Sequence, residues 1–145
     1  MGLAGHPMAE IVRGGVDAID TQFPTDRWSH FAVVFGTDST RVYLDGKLVA
    51  TCEPTSPPEV ESPFVIGNVG KRQDQMRFVG KLRSVRITEG ERFSNEFTPD
   101  QEFAGSSSLL IFDESSLGGG VVRDLSGNGN DGSWDSVVVQ EADVK

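Results

Sequence analysis

Apolar residues in this chain recur at every second position in short runs, and Gly, Pro, Asn and Asp interrupt those runs before a helical period can form. A chain written this way builds sheets and cannot build helix bundles. The clearest run spans residues 28–35, Trp-Ser-His-Phe-Ala-Val-Val-Phe. Trp28, His30, Ala32 and Val34 share one face, and Ser29, Phe31, Val33 and Phe35 the other. Both faces are largely apolar, so the run reads as a central strand with its large side chains buried. Residues 41–51 then place Asp45-Gly46 between two β-rich runs, the composition that accepts the positive φ angles of a two-residue hairpin turn.

Prolines at 54, 57, 58 and 63 remove backbone donors and make residues 53–63 a surface crossing between sheets. Residues 64–67 follow as a short strand, 68–77 as a polar loop, and 78–88 as a strand with one wet side. Residues 93–103, with Pro99 inside, read as a connection with room for a helical turn. Strands are expected again at 108–113, at 121–123 after the Gly118 to Gly120 bend, and at 133–140 after the turn 124–132. Roughly eight or nine short strands without a sustained helical period predict an all-β, two-sheet antiparallel sandwich of the jelly-roll kind. At 145 residues one domain suffices. Residues 1–8 read as a tag or linker and residues 9–145 as the domain.

Thirteen Lys and Arg against 22 Asp and Glu give a formal charge of -9, which repels nucleic-acid phosphates and anionic membrane surfaces. No apolar run approaches the roughly 20 residues that a membrane-spanning helix needs. Cys52 is the single cysteine, so neither an internal disulfide nor a thiolate metal cluster can form.

Taken in order, five segments resemble the laminin-G-like domains of the concanavalin A-like lectin and glucanase superfamily. They are Trp28-x-His30, Val42-Tyr-Leu-Asp-Gly-Lys-Leu-Val-Ala50, Phe64-Val-Ile-Gly67, Phe78-x-Gly-Lys-Leu-Arg-Ser-Val-Arg-Ile87 and Asp124-x-Ser-Gly-Asn-Gly-Asn-Asp-Gly132. The likeness runs from about Asp26 to Val139, and its tail looks like the variant common in large bacterial surface and secreted proteins. It implies a concanavalin A-like jelly roll, an extracellular or cell-surface parent protein and a polysaccharide or glycan as partner. Domains of this superfamily usually carry several strands before the Trp-x-His segment, whereas only about 25 residues precede it here. The expectation is therefore that N-terminal strands are missing and that an open sheet edge favours homodimer pairing.

Glucanases of the superfamily hold their carboxylates in a Glu-x-Asp-x-(x)-Glu pattern, which does not occur here. Glu59 and Glu61 fall in the Pro-rich crossing and Glu89 and Glu91 flank Gly90, so these pairs read as solvated surface and the chain as no enzyme. The family resemblance makes glycan recognition by a non-catalytic module the leading reading, and a structural or protein-adhesion module its rival. For recognition the polar loop offers Asn68, Arg72, Gln73 and Asp74, while Tyr43 and Trp134 are the large aromatics that the alternation leaves least obviously buried. Trp28 reads as core. The turn at 124–132 carries two readings. Asp124, Asn128, Asn130 and Asp135 fall at EF-hand-like spacing, with Gly129 sixth and Asp135 twelfth, and would hold Ca²⁺ weakly. Against that, Asn and Ser replace carboxylates, and a tight Asn-Gly turn whose side chains cap its own backbone is the simpler account.

Overall fold

A computed structural model describes residues 24–54, 66, 80–99, 108–112, 117–118 and 121–133. Eight strands and no helix occur among them, and every strand pairing is antiparallel. No helix there is long and apolar enough to cross a membrane. The fold class is all-β and antiparallel, as the period-two pattern requires. The chain divides into two compact units, residues 1–62 with 90–102 and residues 63–89 with 103–145.

The first unit holds β1 (Phe31–Phe35), β2 (Thr40–Leu44) and β3 (Lys47–Cys52) in the order β1-β2-β3. Cross-strand neighbours include Val33 with Val42 and Ala32 with Tyr43. Among the described residues the strand in the middle of this sheet is β2. Thr40, Val42, Tyr43 and Leu44 are all buried, so both faces of β2 are covered. Val42 anchors one face, packed by Phe31, Val33, Val49, Ala50 and Cys52. Asp45 and Gly46 connect β2 to β3 with φ of 51° and 78°, the two positive angles of the turn whose twist matches a hairpin. The register slips between Val42 and Tyr43, whose partners are Ala50 and Leu48, leaving Val49 as the extra residue of a β-bulge.

Two large side chains expected in the core stand in solvent: Trp28 is 57% exposed, and Phe35 is exposed as well. The reason at Trp28 is local: the strand starts only at Phe31, so residues 24–30 do not continue the alternation. Phe35 closes β1, and the Gly36 N–H turns back to the Ser39 carbonyl at 3.0 Å.

In the second unit β4 (Val85–Thr88) pairs with β5 (Ser108–Phe112), again with a register shift, between Ile87 and Thr88. Residues 80–84, expected to be strand, carry no ladder. Short strands β6 (Leu117–Gly118), β7 (Val121–Val122) and β8 (Gly132–Ser133) form a three-stranded sheet in that order. The turn between β7 and β8 is tied to β5, because Ile111 donates its N–H to Asp124 Oδ1 at 3.0 Å and accepts from the Leu125 N–H at 2.9 Å. Residues 93–99 contain bends and no helical turn.

Candidate functional site

The tip of the β2–β3 hairpin is held from two sides. From the N-terminal side, the His30 N–H donates to Asp45 Oδ1 at 2.8 Å, the Asp45 N–H returns a bond to the His30 carbonyl at 2.7 Å, and Arg27 Nη1 reaches Asp45 Oδ2 at 2.7 Å. Burial opposes ionisation of Asp45, but the His30 N–H and the Arg27 guanidinium outweigh it and hold the carboxyl below its usual range. The segment that carries the exposed Trp28 is thus fastened to the hairpin one residue before it and two residues after it.

From the other side comes a strap formed by residues 90–99. Glu91 Oε2 accepts from Arg41 Nη2 at 2.5 Å, and Glu91 Oε1 accepts from the Thr37 N–H at 3.1 Å in the β1–β2 turn. These bonds, Arg41 first and Thr37 second, hold the Glu91 carboxyl below its ordinary range. At the far end the Phe97 N–H donates to the Gly46 carbonyl at 3.0 Å, and Lys47 pairs with Glu96 at 2.8 Å, lowering that carboxyl too. Gly46 is required there: a Cβ on it would stand 1.8 Å from the Phe97 carbonyl oxygen.

Between strap and sheet lies an aromatic cluster. Phe93 and Phe97 stack with centroids 3.5 Å apart, Tyr43 meets Phe97 edge-on at 5.4 Å, and His30 meets Phe97 edge-on at 5.6 Å. Tyr43 is fully buried. Its reading as an accessible ligand-binding aromatic is therefore corrected: the strap covers the face of β2 that the sequence pattern left open, and Tyr43 is a core residue. A shallow, open depression remains beside the hairpin tip, lined by Asp45, Lys47, Glu96, Phe97, Thr98 and Pro99.

In the β7–β8 turn the Asp124 carboxylate is surrounded by hydrogen-bond donors of the protein. Asp124 Oδ1 accepts from the N–H groups of Ile111 and Ser126, and Oδ2 from the Ser126 hydroxyl at 2.8 Å and the Asn130 N–H at 3.1 Å. Burial works against the charge of Asp124, yet these donors more than compensate and bring its pKa down to about 2. Four hydrogen bonds occupy the lone-pair directions of the carboxylate, so a cation ligated by Asp124 would have to displace them. Asn128 Nδ2 donates to Ser126 Oγ at 2.9 Å. Among the described residues no three His, Cys, Asp or Glu side chains come together as a metal site.

Asn68, Arg72, Gln73, Asp74, Trp134 and Asp135 lie outside the described residues. The group that sequence reasoning passed over is Trp28 with Arg27, Asp45, Lys47 and Glu96. Its signal was present in Pro24-Thr25-Asp26-Arg27, a polar stretch that marks a loop and so argues against extending the strand back to Trp28.

Comparison with curated proteins and with solved structures gave no match. The laminin-G family model of the concanavalin A-like lectin/glucanases superfamily matches residues 6–96. That span starts inside the segment read as tag or linker and ends in the strap, short of the Val139 limit of the sequence likeness. It contains the whole hairpin and its fastenings other than Phe97, and on that match the chain belongs to the laminin-G family of the concanavalin A-like lectin/glucanases superfamily.

Proposed function

We propose that the chain is a non-catalytic carbohydrate-recognition module of a larger extracellular protein, and that the hairpin end, with Trp28 as its stacking platform, meets a neutral polysaccharide. The observation that carries this reading is the exposed indole on a segment fixed to Asp45. A flat apolar ring beside planar hydrogen-bonding groups suits the alternating C–H and O–H faces of a sugar. Charge argues for a neutral ligand. Arg27 is paired with Asp45 and Lys47 with Glu96, so neither cation is left to attract uronate or sulfate groups, and the chain carries -9 overall.

Two carboxylates, Asp45 and Glu96, border the depression, which invites comparison with a glycosidase pair. Glycoside hydrolysis needs one carboxyl with a raised pKa to act as general acid, whereas both of these are lowered. This supports recognition without hydrolysis.

The test is isothermal titration of neutral β-glucans and of anionic polysaccharides against the parent and Trp28→Ala proteins. Binding of a neutral glycan that Trp28→Ala weakens about tenfold, roughly 1.4 kcal/mol, is the expected result. Because Trp28 stands in solvent, its truncation leaves the fold intact. Affinity for no sugar would replace this reading with the protein-adhesion module.

A further inference from the structure

We propose that Asn128-Gly129 is a site of spontaneous covalent modification, at which the chain converts its own asparagine to aspartate and isoaspartate. The chemistry is intramolecular. The Gly129 nitrogen attacks Cγ of Asn128, the new N–Cγ bond forms as the Cγ–Nδ2 bond breaks, and the proton shed by Gly129 leaves on the departing ammonia. Water then opens the succinimide at either carbonyl, so the net change is amide plus water to carboxylic acid plus ammonia.

Asn128-Gly129 is the one Asn-Gly pair in the sequence, and no side chain at Gly129 shields the backbone nitrogen that attacks. Asn128 and Gly129 are both exposed. Gly129 has φ of 75°, with no atom within 4 Å of the place a Cβ would occupy. The contrast with the two Asp-Gly pairs is informative. Gly46, after Asp45, is pressed against the Phe97 carbonyl, and Gly132, after Asp131, lies in β8 against Phe112 and Val122. Those backbones are packed on the side a Cβ would occupy, while that side of Gly129 is open. The leaving nitrogen, Asn128 Nδ2, rests on Ser126 Oγ, whose hydroxyl is bonded to Asp124. A hydrogen-bond acceptor for the amide therefore stands beside the bond that breaks.

The product is not neutral for the turn. A carboxylate at 128 joins Asp124 and Asp131, and the isoaspartyl form inserts a methylene into the main chain at 128, two residues before Asn130, whose N–H donates to Asp124. Loosening of the β7–β8 turn is the consequence.

The experiment is timed incubation of the folded chain at pH 7.4 and 37 °C, with peptide mass mapping and isoaspartate detection, beside a urea-unfolded sample and an Asn128→Ser variant. The expected result is conversion at Asn128 ahead of Asn95 and Asn130, which precede Glu96 and Asp131, yielding both products and accelerating with pH. In Asn128→Ser that signal is absent while the melting curve is retained. Persistence of the Asn128 amide in the folded chain over a period that converts it in the unfolded one overturns the proposal, as does earlier conversion at Asn95 or Asn130.

Discussion

Asp124 concentrates more hydrogen bonds on one side chain than any other acidic residue described, and its removal has a calculable effect. Asp124→Ala strands the N–H groups of Ile111, Ser126 and Asn130, of which that of Ile111 belongs to a buried residue. A loss of about 2 kcal/mol is expected, read from the urea midpoint at neutral pH. Because its carboxyl is depressed to about 2 from the ordinary 3.8, the Asp124 contribution is fully present above pH 3.8 and vanishes as pH falls through 2. Parent and variant stabilities should converge over that window. The self-capping turn was legible in the order of Asp, Ser and Asn. That its carboxylate would reach into β5 was not, since a one-dimensional pattern carries no information on which distant strand stands alongside.

At the level of elements, the hairpin and its strap act as one unit. Gly46→Ala drives a methyl group into the Phe97 carbonyl at a residue whose φ is 78°, and a cost of about 3 kcal/mol is expected. Gly90→Ala meets the same angle with nothing within 4 Å, so only the left-handed penalty of about 1 kcal/mol remains. Paired urea titrations separate the two, and equal losses would show that the strap does not press on the turn. Glu91→Gln should lower the melting temperature and speed amide exchange at Thr37, because the Arg41 guanidinium, mostly buried, loses its counter-charge. The Asp45-Gly46 turn could be read from sequence because two adjacent residues determine it. The strap could not: its hold depends on Glu91, Glu96 and Phe97 meeting partners about 50 positions away. Tyr43 and Trp28 were consequently read the wrong way round, one hidden by a cover that alternation does not encode, the other left outside by a strand that starts late.

At the scale of the molecule, four of the described carboxylates act in the same direction. Asp45, Glu91, Glu96 and Asp124 all have lowered pKa values, so at a given acid pH the native chain binds fewer protons than the unfolded chain. Its isoelectric point should lie below the sequence value of 4.6, and focusing in the presence and absence of urea measures the difference. Stability should decline on acidification from about pH 4.5 toward 2, with the sign set by the depressed carboxyl groups of Asp45, Glu91, Glu96 and Asp124. The buried tyrosine has a use of its own. Tyr43 is the single tyrosine of the chain, and it is set edge-on against a stacked pair of phenylalanine rings. A lone phenol in so asymmetric a setting is a built-in optical probe: its near-ultraviolet circular dichroism band reports, without any label, whether residues 90–99 are seated on the sheet.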